Sequence, residues 1–205
     1  MTDLRRALGD IHAIRKQVAD RTEFRGYGPA AMACTALFAL LAATVQPYLA
    51  PDPAHMPVRY LAVWFAAAAL SLLLSAVTVY TRSRRIHSGL SDEMIRMAAQ
   101  QFIPAVGAGL LVTLVMVFAV PHVVWMLPGL WQVIFSLGVF SSCRSLPRTM
   151  FAPACLYLGT GIAAMAIGDT RALSPWVMGV PFALGQMMIA AVLRFDGAAE
   201  EDVDA

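Results

Sequence analysis

From Met97 to Cys143 the chain runs through 47 residues without one aspartate, glutamate, lysine or arginine. A soluble domain carries roughly a quarter charged residues, so a stretch this long with none has nothing to present to water. A bilayer core about 30 Å thick is crossed by about 20 apolar residues rising 1.5 Å each. The stretch is therefore long enough for two crossings. The rest of the sequence follows suit: of 205 residues, 59% are hydrophobic and 14% charged. Six segments have the length and composition of spans, at about 29–49, 60–80, 102–120, 123–142, 151–168 and 175–193. The expected fold is all-α, a polytopic bundle occupying residues 26–195. Pro29, Pro57 and Pro175 suit first helical positions, where a missing N–H leaves no bond unmade.

Cationic residues orient the spans, because loops rich in arginine and lysine stay on the cytoplasmic side. With a cytoplasmic N-terminus, 13 of the 15 fall inside, including Arg15, Lys16, Arg82, Arg84, Arg85 and Arg194; only Arg59 and Arg171 fall outside. Both ends are then cytoplasmic and the six spans form three helical hairpins. The longest inner connection, 81–101, begins with the basic "TRSRR" and ends in "SDEMIRMAAQQF", a helical stretch expected to lie along the inner interface. A weak parallel repeat of the hairpins is suggested by Trp64, Trp125 and Trp176, each 18 or 19 residues before an arginine. Interfacial tryptophan and flanking arginine are also what any spanning helix favours.

The fourth segment contains "WMLPGLWQ", from Trp125 to Gln132. Inside a helix, Pro128 would free the carbonyl of Val124 and kink the backbone, Gly129 would admit a neighbouring backbone, and Gln132 would share a face with Pro128. The sixth segment has a related pattern, "WVMGVPFALGQ", with Pro181 and Gln186. Freed carbonyls and buried amides at Pro128, Gln132, Pro181 and Gln186 are a candidate site for a lipid, a quinone or another neutral small molecule. They are equally what helix packing in lipid uses, where small residues and interhelical hydrogen bonds hold helices together. Small-residue ladders are visible at Ala67, Ser71 and Ser75, at Ala105, Gly109 and Thr113, and at Gly159 and Ala163.

No aspartate, glutamate, lysine or arginine lies within a span as drawn. Such residues mark proton relays, ion sites and charged-substrate pathways. Their absence argues against a proton-coupled pump, a carrier of charged solutes or a carboxylate-based intramembrane protease. No P-loop, nucleophile elbow or zinc-protease motif occurs. Neither a cofactor nor direct contact with nucleic acid is indicated. His55 and His122 fall in outer loops and are the one candidate pair for copper or haem, which would make the chain redox-linked; loop-edge histidines at an interface are the plainer explanation.

Residues 1–25 carry an apolar stripe, Leu4, Leu8, Ile11, Ile14 and Val18, at helical spacing opposite charges. This is expected to be a cytoplasmic amphipathic helix on anionic headgroups, on the 81–101 segment or on a protein partner. Residues 196–205 are acidic and expected to be disordered. Arg82, Arg84, Arg85, Arg15 and Lys16 form the expected contact surface for lipid or partner.

The segments "IRKQVADRTEFRGYGPAAMACTALFALLAA" and "MLPGLWQVIFSLGVFSSCRSLPR" together resemble uncharacterised small multi-pass proteins of bacterial inner membranes. The resemblance implies a bacterial inner-membrane location and a cytoplasmic regulator as partner, and it transfers no active residues. The functional expectation is a non-enzymatic accessory, scaffold or regulatory subunit, acting with a protein partner or as a homo-oligomer.

Overall fold

The computed structural model describes residues 28–85, 90–143 and 148–201. Every element among them is helical: α1 (Pro29–Leu49), α2 (Pro57–Arg85), α3 (Leu90–Phe118), α4 (Leu127–Ser142), α5 (Phe151–Ala166) and α6 (Pro175–Glu201). Short 3-10 turns at Pro121–Met126, Arg148–Met150 and Thr170–Leu173 precede α4, α5 and α6. Four helical stretches are long and apolar enough to cross a membrane: Pro29–Leu49, Pro57–Thr81, Pro121–Ser142 and Pro175–Phe195. Ile103–Phe118 and Phe151–Ala166 are apolar but shorter. The chain is thus an all-α protein of membrane-helix character.

Local sequence explains the boundaries. Helices α1, α2 and α6 each begin on a proline, whose fixed φ suits a first turn and whose missing N–H is not needed there. After α5 ends, Gly168 takes φ +76° and its N–H bonds back to Met165 O; the left-handed geometry that glycine tolerates stops the helix.

Two helices extend further than the apolar segments alone indicate. The stretch expected to turn helical within 81–101 is helical: α2 continues to Arg85, and α3 begins at Leu90 and runs unbroken to Phe118. Nothing from Ser91 to Ile103 breaks a helix, alanine and glutamine favour one, and Asp92 and Glu93 sit in the first turn, where negative charge is stabilised. Likewise α6 runs on to Glu201, six residues into the stretch expected to be disordered; Ala198, Ala199, Glu200 and Glu201 are all good helix formers. The amphipathic segment 1–25, with Arg15 and Lys16, lies outside the described residues.

Sequence neighbours touch, but the most extensive contacts are α1 with α6 and α4 with α5, across the boundaries of the expected hairpins. Glycine is the reason. A Cβ on Gly179 of α6 would stand 2.5 Å from Ala43 Cβ. A Cβ on Gly129 of α4 would stand 2.6 Å from the carbonyl oxygen of Gly161 on α5. Without side chains there the backbones approach closely, which is how helices gain contact in lipid. The ladder assigned to span five is displaced accordingly: Gly159 and Ala163 are exposed, while Gly161 and Ala164 are buried. Two residues along a helix rotate a side chain by about 200°, to the opposite face.

The core sits towards the end of the bundle that carries the turns before α2 and α6. Ala42, Ala43, Tyr60, Trp64, Leu127, Leu173 and Met178 form it, with Trp131 and Phe182 packed against it. The three tryptophans of the suggested repeat do not share an environment: Trp64 is buried, Trp125 half-buried and Trp176 exposed.

Candidate functional site: buried amides around Pro181

Pro128 does not kink a helix. It occupies the first turn of α4, after the 3-10 turn, and the carbonyl of Val124 accepts a hydrogen bond from Leu127 N–H. The expectation of a freed carbonyl there is overturned, because the 3-10 turn ends where α4 begins and the proline needs no donor in a first turn. Gly129 does admit a neighbouring backbone, that of α5 at Gly161.

Pro181 is different: it lies in the interior of α6, so the carbonyl four residues earlier, on Val177, loses its helical donor. Gln132 of α4, fully buried, donates from Nε2 to that oxygen at 2.9 Å. One helix therefore supplies the donor that the proline of another removed. The opposite end of the amide, Gln132 Oε1, is buried with no partner in the protein, and so is Gln186 Oε1. Gln186 lies alongside the Tyr157 hydroxyl, which itself donates to Phe182 O at 3.3 Å. The Tyr157 ring packs where a Cβ on Gly185 would be. Of the four predicted residues, then, Gln132 is joined to the Pro181 break, Gln186 stands one turn beyond it beside Tyr157, and Pro128 belongs to the start of α4.

A second amide was not singled out from the sequence. Gln46 of α1, 1% exposed, accepts from Trp64 Nε1 at 2.9 Å and donates from Nε2 to Leu173 O at 2.9 Å. It ties α1, α2 and the turn before α6 together. Trp64 is accordingly a core residue, not part of an interfacial belt. The available signal was the polar dipeptide Gln46–Pro47 inside an apolar run. Its partner Leu173 is 127 residues away, beyond any pattern of spacing.

Beside Gln46 a cleft of about 300 Å³ opens at the same end of the bundle, lined among others by Pro47, Pro51, Thr170, Arg171 and Ser174. That is the small end of ligand-site volumes. Its rim charge is internally matched: Arg171 Nε donates to both carboxylate oxygens of Asp169, at 3.0 and 2.9 Å. Those bonds hold the Asp169 carboxyl below its ordinary range and raise Arg171.

His55 and His122 are both exposed. His55 Nδ1 pairs with Asp52 Oδ2 at 2.8 Å, a bond that holds the Asp52 carboxyl below its usual value. Among the described residues no group of three or more His, Cys, Asp or Glu side chains comes together. Arg82, Arg84 and Arg85 occupy the last turn of α2; their side chains lie outside the described residues.

No family model, curated protein or solved structure matches this chain.

Proposed function

We propose that the protein is a six-span accessory or scaffold subunit of a bacterial inner membrane, non-enzymatic, with both termini cytoplasmic. On this reading the two shorter apolar helices also cross, and the α2 arginines face the cytoplasm, where a regulator or another subunit docks. The supporting observation is the bond from Gln132 to the carbonyl that Pro181 frees. It joins helices at the very residues that composition alone offers as a ligand site. Gln46 serves the same end at the outer side. Polar groups that bind each other leave few to bind a substrate, and interhelical hydrogen bonds are established devices of packing in lipid.

The test is affinity capture of the intact chain from gently solubilised native membranes, with crosslinking beforehand. The expected result is a stoichiometric protein partner, or a homo-oligomer, that is lost on deleting residues 1–22. Capture of the chain alone, with a small molecule bound, would overturn the scaffold reading.

A second reading has one observation in its favour: Gln132 Oε1 and Gln186 Oε1 are buried acceptors without donors. A neutral molecule carrying hydroxyl or amide N–H groups suits them better than a quinone, whose carbonyls only accept. The redox reading, with haem or copper at His55 and His122, has no comparable support. An optical and elemental analysis of the purified protein checks it.

A further inference from the structure

Helix α3 is tied to the bundle at one end. Of its residues from Ile103 to Phe118, Thr113 alone is buried. The Thr113 hydroxyl accepts from Trp131 Nε1 of α4 at 2.9 Å and donates to Gly109 O at 2.6 Å. Trp131 is itself braced, its ring stacked on Tyr60 of α2 at 6.5 Å and 10°. Val112, Met116 and Val117 pack against the core beside it. This is the end of α3 that leads into the turn before α4. The other end joins α2, yet among the described residues α2 and α3 make the least contact of any two successive helices. Ile103, Val106, Leu110 and Leu111 are exposed. Gly107 and Gly109 lie on opposite faces of the helix, since two residues turn it by about 200°. A Cβ at either position would have nothing within 4 Å, so neither face meets a neighbour there. Helix α2 is better held: Leu74 packs with Ala31 and Met32 of α1 and Ala190 of α6.

The unpacked stretch is also where α3 bends most easily. Pro104 lies inside the helix, so the carbonyl four residues earlier loses its helical donor. Two glycines follow within five residues, and each adds backbone freedom. Proline and glycine are the usual sites of helix kinks. In α6 the same residue types are braced. Gln132 supplies a donor to the carbonyl that Pro181 frees, and Ala43 and Tyr157 fill the space beside Gly179 and Gly185. Helices in lipid keep their places by close packing and interhelical hydrogen bonds, and Gly107 and Gly109 of α3 have no such packing.

We propose that α3 is a hinged arm. The part from Thr113 to Phe118 stays with the bundle, and the part from Leu90 to Pro104 swings about Pro104, Gly107 and Gly109, carrying the connection to α2 with it. Ser91 stands about 20 Å from Pro104 at 1.5 Å per residue, so a change of about 20° at the kink moves it by about 7 Å. That motion repositions one connection while α1, α4, α5 and α6 remain packed. It is a device by which a molecule bound at that end selects one shape of the chain. The inference concerns the chain alone and needs no partner, so it and the scaffold reading can fail separately.

The experiment is double electron–electron resonance on the full-length protein in lipid nanodiscs. Native Cys34 of α1 carries one nitroxide, and C143S/C155S removes the other two thiols. The second nitroxide is placed by Ser91→Cys on the arm, by Phe118→Cys on the tied end of α3, or by Leu137→Cys on α4. Cys34, Phe118 and Leu137 are all exposed. The expected distance distribution from Cys34 to position 91 is broader than the other two by about 7 Å. Pro104→Ala with Gly107→Ala and Gly109→Ala restores the missing N–H and adds methyl groups where there is room for them. It should narrow the position-91 distribution to the width of the other two. Circular dichroism and a monodisperse elution profile confirm that each variant is folded. A position-91 distribution no broader than those of positions 118 and 137 would overturn the inference. So would unchanged breadth in the folded alanine variant.

Discussion

The crossing of α4 and α5 gives the sharpest stability prediction. A methyl group on Gly129 would lie 2.5 Å from Met165 Cγ, 2.6 Å from Gly161 O and 3.1 Å from Met165 N. The methionine side chain can swing aside; the carbonyl and the amide belong to the α5 backbone and cannot. Carbon and oxygen need a little over 3 Å, so Gly129→Ala must part the helices by about half an ångström, loosening every contact along the joint. Overpacking of this kind typically destabilises by about 1–3 kcal/mol. The gain from replacing a helical glycine, about 0.5–1 kcal/mol, offsets part of it. The net expectation is a loss of about 1–2 kcal/mol. Gly159 is the control: it lies on the same helix pair, two residues from Gly161, with nothing within 4 Å of its Cβ position. Gly159→Ala should be neutral or stabilising by about 0.5–1 kcal/mol. Reversible unfolding of the full chain in mixed micelles, titrated with sodium dodecyl sulfate and followed by circular dichroism, measures both. If the two substitutions have the same effect, or if Gly159→Ala is the more damaging, the proposed glycine crossing is wrong.

Three further outcomes follow from the buried amides and the turn before α6. Gln132→Leu should destabilise by about 1–2 kcal/mol, whereas in a Pro181→Ala background, where a helical N–H again reaches Val177 O, most of that effect should vanish; a double-mutant cycle in the same unfolding assay reads the coupling. Trp64→Phe removes the donor to Gln46 Oε1 and leaves a smaller ring in a buried site, so a loss of at least about 1–2 kcal/mol is expected, with no comparable loss for Trp176→Phe, whose ring is exposed. The Asp169 carboxylate is favoured by Arg171, so its pKa is depressed in the folded chain. The pair is therefore intact above the ordinary aspartate pKa of about 3.9 and lost as pH falls through the lowered value. Carboxyl carbon NMR should show Asp169 titrating below that ordinary pKa, and Arg171→Ala should raise it only part of the way back, because the backbone N–H of residue 171 still donates to Asp169 Oδ1.

Composition and periodicity made most of the helices legible because a membrane helix needs only length and apolarity, both local properties. Prolines at 29, 57 and 175 marked three helix starts correctly. What periodicity missed was how far the helices extend. Charge at 82–101 suggested an interfacial segment, but alanine, glutamine and an acidic first turn are helix-favouring in water as well as at an interface. Partner choice was not legible either. Six helices joined by short connections are compatible with several arrangements, and the choice falls to a few glycines whose significance depends on what stands opposite. Gly159 and Gly161 look alike in the sequence; only Gly161 meets a backbone.

The candidate site shows the same limit in finer detail. Pro128 and Pro181 invite the same inference, a freed carbonyl, and only Pro181 supports it. The difference lies in position within the helix: at the first turn the missing N–H was never needed, whereas in the interior it leaves Val177 without its usual donor. Gln132 then answers that vacancy from α4, over a separation of 45 residues. The two halves of the motif thus act on each other and not side by side on a common ligand. A proline in one span and a glutamine in another are one feature, and a substitution of either is informative only in the presence of the other. This is why the coupled measurement, rather than either single variant, separates packing from ligand binding. If Gln132→Leu remained as costly without the proline, its Oε1, the atom with no partner in the protein, would become the place to look for a bound molecule.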